Sequence, residues 1–172
     1  MFKKGKETNL VSIKTGIRLT NLLIPNTSII MEYTRTNPWV YRHPVSTTTF
    51  ESNKYNMGHY LRENSDEIYL AVRVKPLPKL IIDCGYVHAR KGPVIEYQLI
   101  NGITNAAGAV FMQSVEWQNR SFNVKARYEI INDGFVFAEF LSSNIQGNVY
   151  EYTPEFYWAN PNTFNVGMNF GF

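Results

Sequence analysis

The chain has 172 residues, of which 44% are hydrophobic, 15% aromatic and 18% charged, with a formal net charge of +3. Many aromatic and few charged residues argue against disorder, and the small scattered positive charge argues against a nucleic-acid partner. Because Cys84 is the only cysteine, an intrachain disulfide and a cysteine-based metal site are excluded. We expect Cys84 to be a small buried or lipid-facing apolar group.

Alternation of apolar and polar residues predicts an all-β chain of about seven antiparallel strands, forming one domain over residues 1–172. Successive side chains of a strand point to opposite faces of the sheet, so an alternating segment has one apolar and one polar face. The predicted strands cover about 11–20, 28–40, 68–75, 80–87, 113–130, 135–141 and 164–172.

The last segment has the sharpest division between its two faces. Phenylalanine, valine and methionine alternate there with asparagine and glycine, and the chain stops at Phe172. This pattern is typical of the closing strand of an outer-membrane β-barrel, whose apolar side chains face lipid. A strand of a soluble sandwich could show the same alternation.

The connections between the predicted strands favour the membrane interpretation. Three are tight turns, around Pro25–Thr27, Pro76–Pro78 and Asn132–Gly134. They alternate with long stretches at about 41–65, 90–112 and 142–163. Outer-membrane barrels have short turns at one end and long loops at the other, whereas most connections in soluble sandwiches are short.

Seven strands predict a sheet that does not close into a barrel by itself. Bacterial single-chain barrels usually have an even number of strands, and an open sheet would leave two strand edges without hydrogen bonds in lipid. We therefore expect the chain to be the C-terminal part of a larger up-and-down barrel, completed by strands of the same or another chain. No run of 18 apolar residues is present, and residues 1–9 lack the apolar part of a secretory signal. The sequence is thus expected to be a mature chain or part of a longer one.

Three stretches carry a resemblance to a known family. They are Glu32–His43, Asn56–Asp66 and Ile131–Phe137, which read EYTRTNPWVYRH, NMGHYLRENSD and INDGFVF. Together they resemble the C-terminal barrel region of the capsule-assembly Wzi-like outer-membrane proteins of Bacteroidetes-type bacteria. The resemblance implies a bacterial outer-membrane location, contact with membrane lipid, and a role in attaching or assembling surface polysaccharide.

No nucleophile motif, phosphate loop or metal-ligand spacing points to an enzyme or a cofactor. The histidines His43, His59 and His88 are dispersed, and a metal or catalytic role is not expected for them. Glu63 and Asp66 are close in sequence, as the carboxylates of a glycosidase could be, but a solvated loop explains them as well. We expect a protein that is not an enzyme.

The first long loop carries the candidate ligand site. Sugars stack their C–H faces on aromatic rings and accept hydrogen bonds from cationic side chains. The candidate glycan-binding residues are Trp39, Tyr41, Arg42, His43, His59, Tyr60 and Arg62. Alternatively, Trp39 and Tyr41 belong to the aromatic belt at a membrane interface, and the basic residues pack the loop.

A second group of cations lies on the polar strand faces and could line the barrel lumen. Such a lumen would attract an acidic polysaccharide, although any polar lumen contains charges. The group comprises Lys14, Arg18, Arg73, Lys75, Lys125 and Arg127. Two other functions stay open: a soluble lipocalin-like barrel that binds a small apolar ligand, and an outer-membrane channel or a component of secretion machinery.

Overall fold

A computed structural model describes residues 10–22, 24–41, 51–52, 55–95, 99–100, 103–104, 110–159 and 162–171. Within these residues the chain forms one antiparallel sheet of seven long strands, whose order in space is their order in sequence. The first and last strands are not paired with each other, so the sheet is not closed into a barrel. The prediction of an all-β, open seven-stranded sheet is confirmed. The strands are β1 (Ser12–Thr20), β2 (Thr27–Thr36), β5 (Ser65–Leu77), β6 (Leu80–Lys91), β9 (Trp117–Ile131), β10 (Gly134–Gly147) and β11 (Asn162–Phe170).

The strand lengths differ from the predictions mainly at the end of the sheet that carries the long connections, here called the loop end. β5, β6 and β10 extend three to six residues further there than their apolar alternation suggested, because most of the residues added at that end are polar and interrupt the alternation. β2 stops at Thr36, before Asn37-Pro38, since proline cannot donate a hydrogen bond to a ladder. β9 is one uninterrupted strand, as the order of the loops required.

Short and long connections alternate along the chain. The short ones are 21–26, 78–79 and 132–133. The long ones contain the hairpin of β3 (Glu51–Ser52) and β4 (Tyr55–Asn56), and that of β7 (Leu99–Ile100) and β8 (Ile103–Thr104). The last carries a single helical turn, α1 (Val149–Tyr152), and a 3₁₀ turn at Glu155–Tyr157.

The register gives the sheet two chemically different faces. Paired residues of antiparallel strands lie on the same face. On one, the apolar face, Val72, Cys84, Val124 and Phe140 form a row across four strands. On the other, the polar face, ion pairs, hydroxyls and amides alternate with a few apolar residues.

The buried core lies on the polar face at the loop end. It consists of Leu61, Ala89, Trp117 and Ile145, against which residues of the last long loop pack. The apolar face has no second layer of described residues over it. The exposed large side chains of this face, from Ile13 on β1 to Phe170 on β11, have 37–70% of their surface accessible to solvent.

No helix within the described residues has the length and hydrophobicity required to cross a membrane.

Candidate functional site

A hollow of about 960 Å³ lies between the polar face of the sheet and the loops that fold over it. We call it the loop-end hollow. Its floor comes from β6, β9 and β10, and its other walls come from residues 60–63 and from the last long loop. The aromatic and polar residues that line it are Tyr60, Arg62, Glu63, Lys91, Trp117, Asn119, Ser121, Asn123, Ser143, Glu151, Tyr152, Thr153 and Tyr157.

The loops are held over the sheet by a buried asparagine. Asn64 is fully buried and adopts a left-handed backbone conformation with φ of 51°, which asparagine tolerates better than most residues. Its backbone N–H donates to the Asn37 carbonyl at 3.3 Å, and its carbonyl accepts from the Gly92 N–H at 2.8 Å. Its side chain donates to the Pro93 carbonyl and accepts from the Met112 N–H, both at 2.9 Å. Asn64 thereby joins the first long loop to both ends of the second.

A buried lysine and a buried tryptophan form the rear wall of the hollow. The Lys91 ammonium donates to the carbonyls of Leu61 and Glu63, each at 3.0 Å, and lies 5.5 Å from the centre of the Tyr152 ring. Trp117 donates from Nε1 to the Thr153 hydroxyl at 2.8 Å. Because Lys91 is almost fully buried, its charge serves to anchor the loop backbone and is not presented to a ligand.

The floor of the hollow is a ladder of small polar side chains. The Ser121 hydroxyl donates to Asn119 Oδ1 at 2.7 Å and lies 3.1 Å from the Ser143 hydroxyl on the neighbouring strand. Asn123 continues the row further from the loop end. Hydroxyls and amides each have several donor and acceptor positions, so these residues can bond to one another and to a hydroxylated ligand at the same time.

Of the predicted glycan-binding residues, Tyr60 and Arg62 line the hollow. Tyr60 is 64% exposed as a residue, and its hydroxyl donates to the Glu67 carboxylate. Partial burial of the hydroxyl and the neighbouring Glu67 carboxylate raise the pKa of Tyr60, so it is a neutral hydrogen-bond donor. His59 stands beside it, with ring centres 4.7 Å apart, and its Nε2 lies 3.7 Å from Glu67. The Tyr60 ring is therefore exposed, and its hydroxyl is held in place.

The other predicted aromatic residues have structural positions. Trp39 is only 3% exposed, and its indole N–H donates to the Ile95 carbonyl, so its ring offers no open face for a sugar. The Tyr41 hydroxyl donates to Ser12 at 3.2 Å and accepts from the His59 N–H at 3.1 Å. Tyr41 thus supports the segment that carries Tyr60. Arg42 and His43 lie outside the described residues.

The predicted lumen cations are partly neutralised by carboxylates on adjacent strands. Lys14 pairs with Glu32 at 2.9 Å, Arg73 with Asp83 at 2.5 Å and Lys125 with Glu139 at 3.3 Å. The opposite end of the sheet, which carries the short connections, is here called the turn end. A smaller hollow there is lined by Arg127 and Lys75, and Arg127 lies over the Phe135 ring. Arg18 borders a third hollow, which also contains Arg73 and Asp83. The polar face is therefore less cationic than its list of basic residues suggested.

Several lining residues were not predicted from the sequence. Asn119, Ser121 and Ser143 belong to the polar face of strands, and Tyr152 and Tyr157 to a loop of no distinctive pattern. Their shared signal is weak: each lies near the loop end of its strand or just beyond it. Pairing of β9 with β10 places the three strand residues side by side, and folding of the last long loop over the sheet brings Tyr152 and Tyr157 to them.

The geometry of the described residues supports neither a glycosidase-like pair of carboxylates nor a metal site. The Asp66 carboxylate is bound by Arg90 through two hydrogen bonds of 2.9 and 2.5 Å on the apolar face, whereas Glu63 lies at the hollow. The two carboxylates therefore do not form a facing pair. Within the described part of the chain no group of three or more His, Cys, Asp or Glu residues is arranged to hold a metal ion.

The chain matches no protein-family model, and neither a curated protein nor a solved structure is significantly similar to it.

Proposed function

We propose that this chain is a portion of a bacterial outer-membrane β-barrel that attaches or assembles surface polysaccharide without being an enzyme. The observation that carries the membrane part is the division of the sheet into two faces. Apolar side chains from Ile13 to Phe170 are exposed on one face, while the loops fold over the other. In water such a large apolar surface would be covered by a second layer, but in a bilayer lipid covers it.

The open edges of the sheet support the same proposal. β1 and β11 each present one edge without a paired strand among the described residues. Backbone groups without hydrogen bonds are not tolerated in lipid, so further strands from the same or another chain must pair with these edges. Membrane lipid and the remaining strands are therefore the proposed structural partners.

The polysaccharide part rests on the loop-end hollow. It combines a fixed, exposed tyrosine ring with a floor of hydroxyl and amide groups, which is the mixture that binds sugars. The resemblance of residues 32–43 and 56–66 to Wzi-like proteins points to the same class of ligand. Tyr60 is the proposed stacking residue, and Asn119, Ser121 and Asn123 are the proposed hydrogen-bonding residues.

The single cysteine tests the membrane part directly. Cys84 lies on the apolar face midway along β6, paired with Val72 and Val124. A bimane label on Cys84, with the intact gene product in phosphatidylcholine bilayers, should be quenched by lipids that carry a nitroxide on the acyl chain. A label on Ser121→Cys in a Cys84→Ser background should not be quenched, because Ser121 faces the hollow. If the Cys84 label is not quenched by these lipids and a small apolar ligand changes its fluorescence instead, the lipocalin-like alternative would be favoured.

The polysaccharide part is tested by binding of purified surface polysaccharide from the encoding bacterium to the reconstituted protein. Tyr60→Ala should weaken binding about tenfold, as truncation of an aromatic anchor commonly does. The matched control is Tyr128→Ala, an exposed tyrosine on the apolar face of β9. Equal binding by Tyr60→Ala and the unaltered protein would remove the hollow as the binding site.

A further inference from the structure

Charged residues on the apolar face are confined to one end of it. Over the paired residues of the seven strands, this face carries three arginines and one aspartate, and all four lie at the loop end. Three positive charges against one negative charge leave a net charge of +2. They are Arg35, Asp66, Arg90 and Arg120.

The register places these residues in a compact row. Arg35 pairs with Asp66, and Asp66 pairs with Arg90, so the two arginines flank the aspartate at about 10 Å from each other across two strand spacings. Arg120 pairs with His88, which puts it diagonal to Arg90 at a Cα separation of about 7–8 Å. Three guanidinium groups are therefore within reach of one anionic group.

The arginines are held to different degrees. Arg90 is fixed by its two hydrogen bonds to Asp66. Arg35 donates from Nε to Asn37 Oδ1 at 2.9 Å, and its Cζ lies 3.8 Å from the centre of the Phe111 ring. Arg120 is exposed. The two residues paired with it on the neighbouring strands are His88 and Asn144, and neither carries a carboxylate. The row therefore has two cations held by contacts within the chain and one exposed cation.

The position of the row along the strands is the one expected at a membrane interface. Immediately towards the turn end lie Tyr33, Tyr86 and Phe122 on the same face, a position typical of the aromatic belt of membrane proteins. Beyond them the face is uncharged to the turn end, where Ile82 and Val74 pair. Arginine is suited to this level because its planar guanidinium binds phosphate through two parallel hydrogen bonds.

We propose that Arg35, Arg90 and Arg120 bind the phosphate-bearing headgroup of a lipid in the leaflet at the loop end. This inference rests on the proposed embedding of the apolar face in a membrane. His88 lies within the same site, and its Nε2 has no hydrogen-bond partner among the described residues. Among the paired residues of the seven strands the apolar face has no equivalent row at the turn end, so binding is specific to one leaflet.

The test is native mass spectrometry of the intact protein in detergent micelles, titrated with diphosphoryl lipid A. Arg120→Gln should weaken binding about fivefold, which corresponds to the roughly 1 kcal/mol contributed by one basic residue near a charged lipid surface. Arg120→Lys should retain most of the affinity. Arg18→Gln, which removes a cation from the polar face of β1, is the matched control and should bind like the unaltered protein.

The outcomes separate this inference from the proposed function. Equal binding by Arg120→Gln and the unaltered protein, or equally tight binding of the same lipid without its phosphates, would overturn the headgroup site. If the Cys84 label is still quenched by lipid in those preparations, the membrane proposal stands while the headgroup site fails. If inorganic phosphate competes at concentrations comparable to the lipid, a soluble anion is the ligand and the headgroup assignment is wrong.

Discussion

The same strands bury polar side chains at the loop end and expose apolar side chains in the middle of the sheet. At the loop end the buried residues include Asn64, Lys91 and Trp117, and each of them is hydrogen-bonded within the chain. In the middle of the sheet, apolar side chains such as Phe122 on β9 and Phe140 on β10 are 44% and 39% exposed. Polar side chains are therefore buried at the loop end, whereas large apolar side chains are exposed on the apolar face.

This difference indicates which surroundings each region is built for. Loops that meet water need a local core, and here they obtain one by folding over the polar face and satisfying their backbone groups through Asn64 and Lys91. The middle of the sheet needs no second layer if lipid covers its apolar face.

The largest effect is expected from Asn64→Ala. This substitution leaves the partly buried Met112 N–H and Pro93 carbonyl without their partners, each at a cost of about 1–3 kcal/mol, and it places alanine at a positive φ. The free energy of unfolding measured by urea titration should fall by about 2–6 kcal/mol, and the long loops should become susceptible to protease. Asn148→Ala, which removes an exposed hydrogen bond to Glu151, should change stability by less than about 0.5 kcal/mol. Comparable losses for both would show that Asn64 does not hold the loops.

A smaller effect is expected from a charge placed in the middle of the apolar face. Val124→Arg should destabilise the reconstituted protein by about 2–4 kcal/mol, the cost of an arginine facing lipid near the bilayer midplane. Asn123→Arg, at the adjacent position on the polar face, should cost much less, because its side chain faces an aqueous hollow. The measurement is the folding yield of each variant in lipid vesicles over a series of urea concentrations. The reverse order of the two costs would mean that the polar face is the one in contact with lipid.

The smallest effect concerns pH at the loop end. Burial, followed by the neighbouring Glu151 carboxylate, raises the pKa of Tyr152 to about 12 from the ordinary value of 10. Below pH 10 the phenol is neutral in both folded and unfolded chains, and stability is then lost as pH rises through about 12, since only the unfolded chain ionises readily. Alkaline unfolding of Tyr152→Phe should show a shallower loss between pH 10 and 12. A profile identical to that of the unaltered protein would exclude burial of this hydroxyl.

Part of the candidate site could be predicted from the sequence and part could not. Tyr60 and Arg62 were identified because aromatic and cationic residues cluster in one loop, and both line the hollow. The same reasoning selected Trp39, whose burial against Ile95 depends on the second long loop. Local composition identifies residue types suited to sugars, but it does not indicate which of them the neighbouring loops cover.

The order of charges on the apolar face shows the same limit. Alternation from Phe122 to Ile130 assigned a face to each residue of that part of β9, because side chains of a strand alternate strictly. It did not place Arg120 beside Arg90, since neighbours across strands depend on register.

The sequence by itself determined the seven strands, the faces of the side chains within their alternating stretches, and the alternation of short turns with long loops. The period of two, the turn residues and the odd strand count follow from local chemistry and chain order, and they sufficed to predict an open antiparallel sheet. Only the tertiary structure decided that the long loops fold over the polar face, that Asn64 joins them, and that the arginines of three strands share one row. Those features depend on contacts between residues far apart in the chain, which no local pattern encodes.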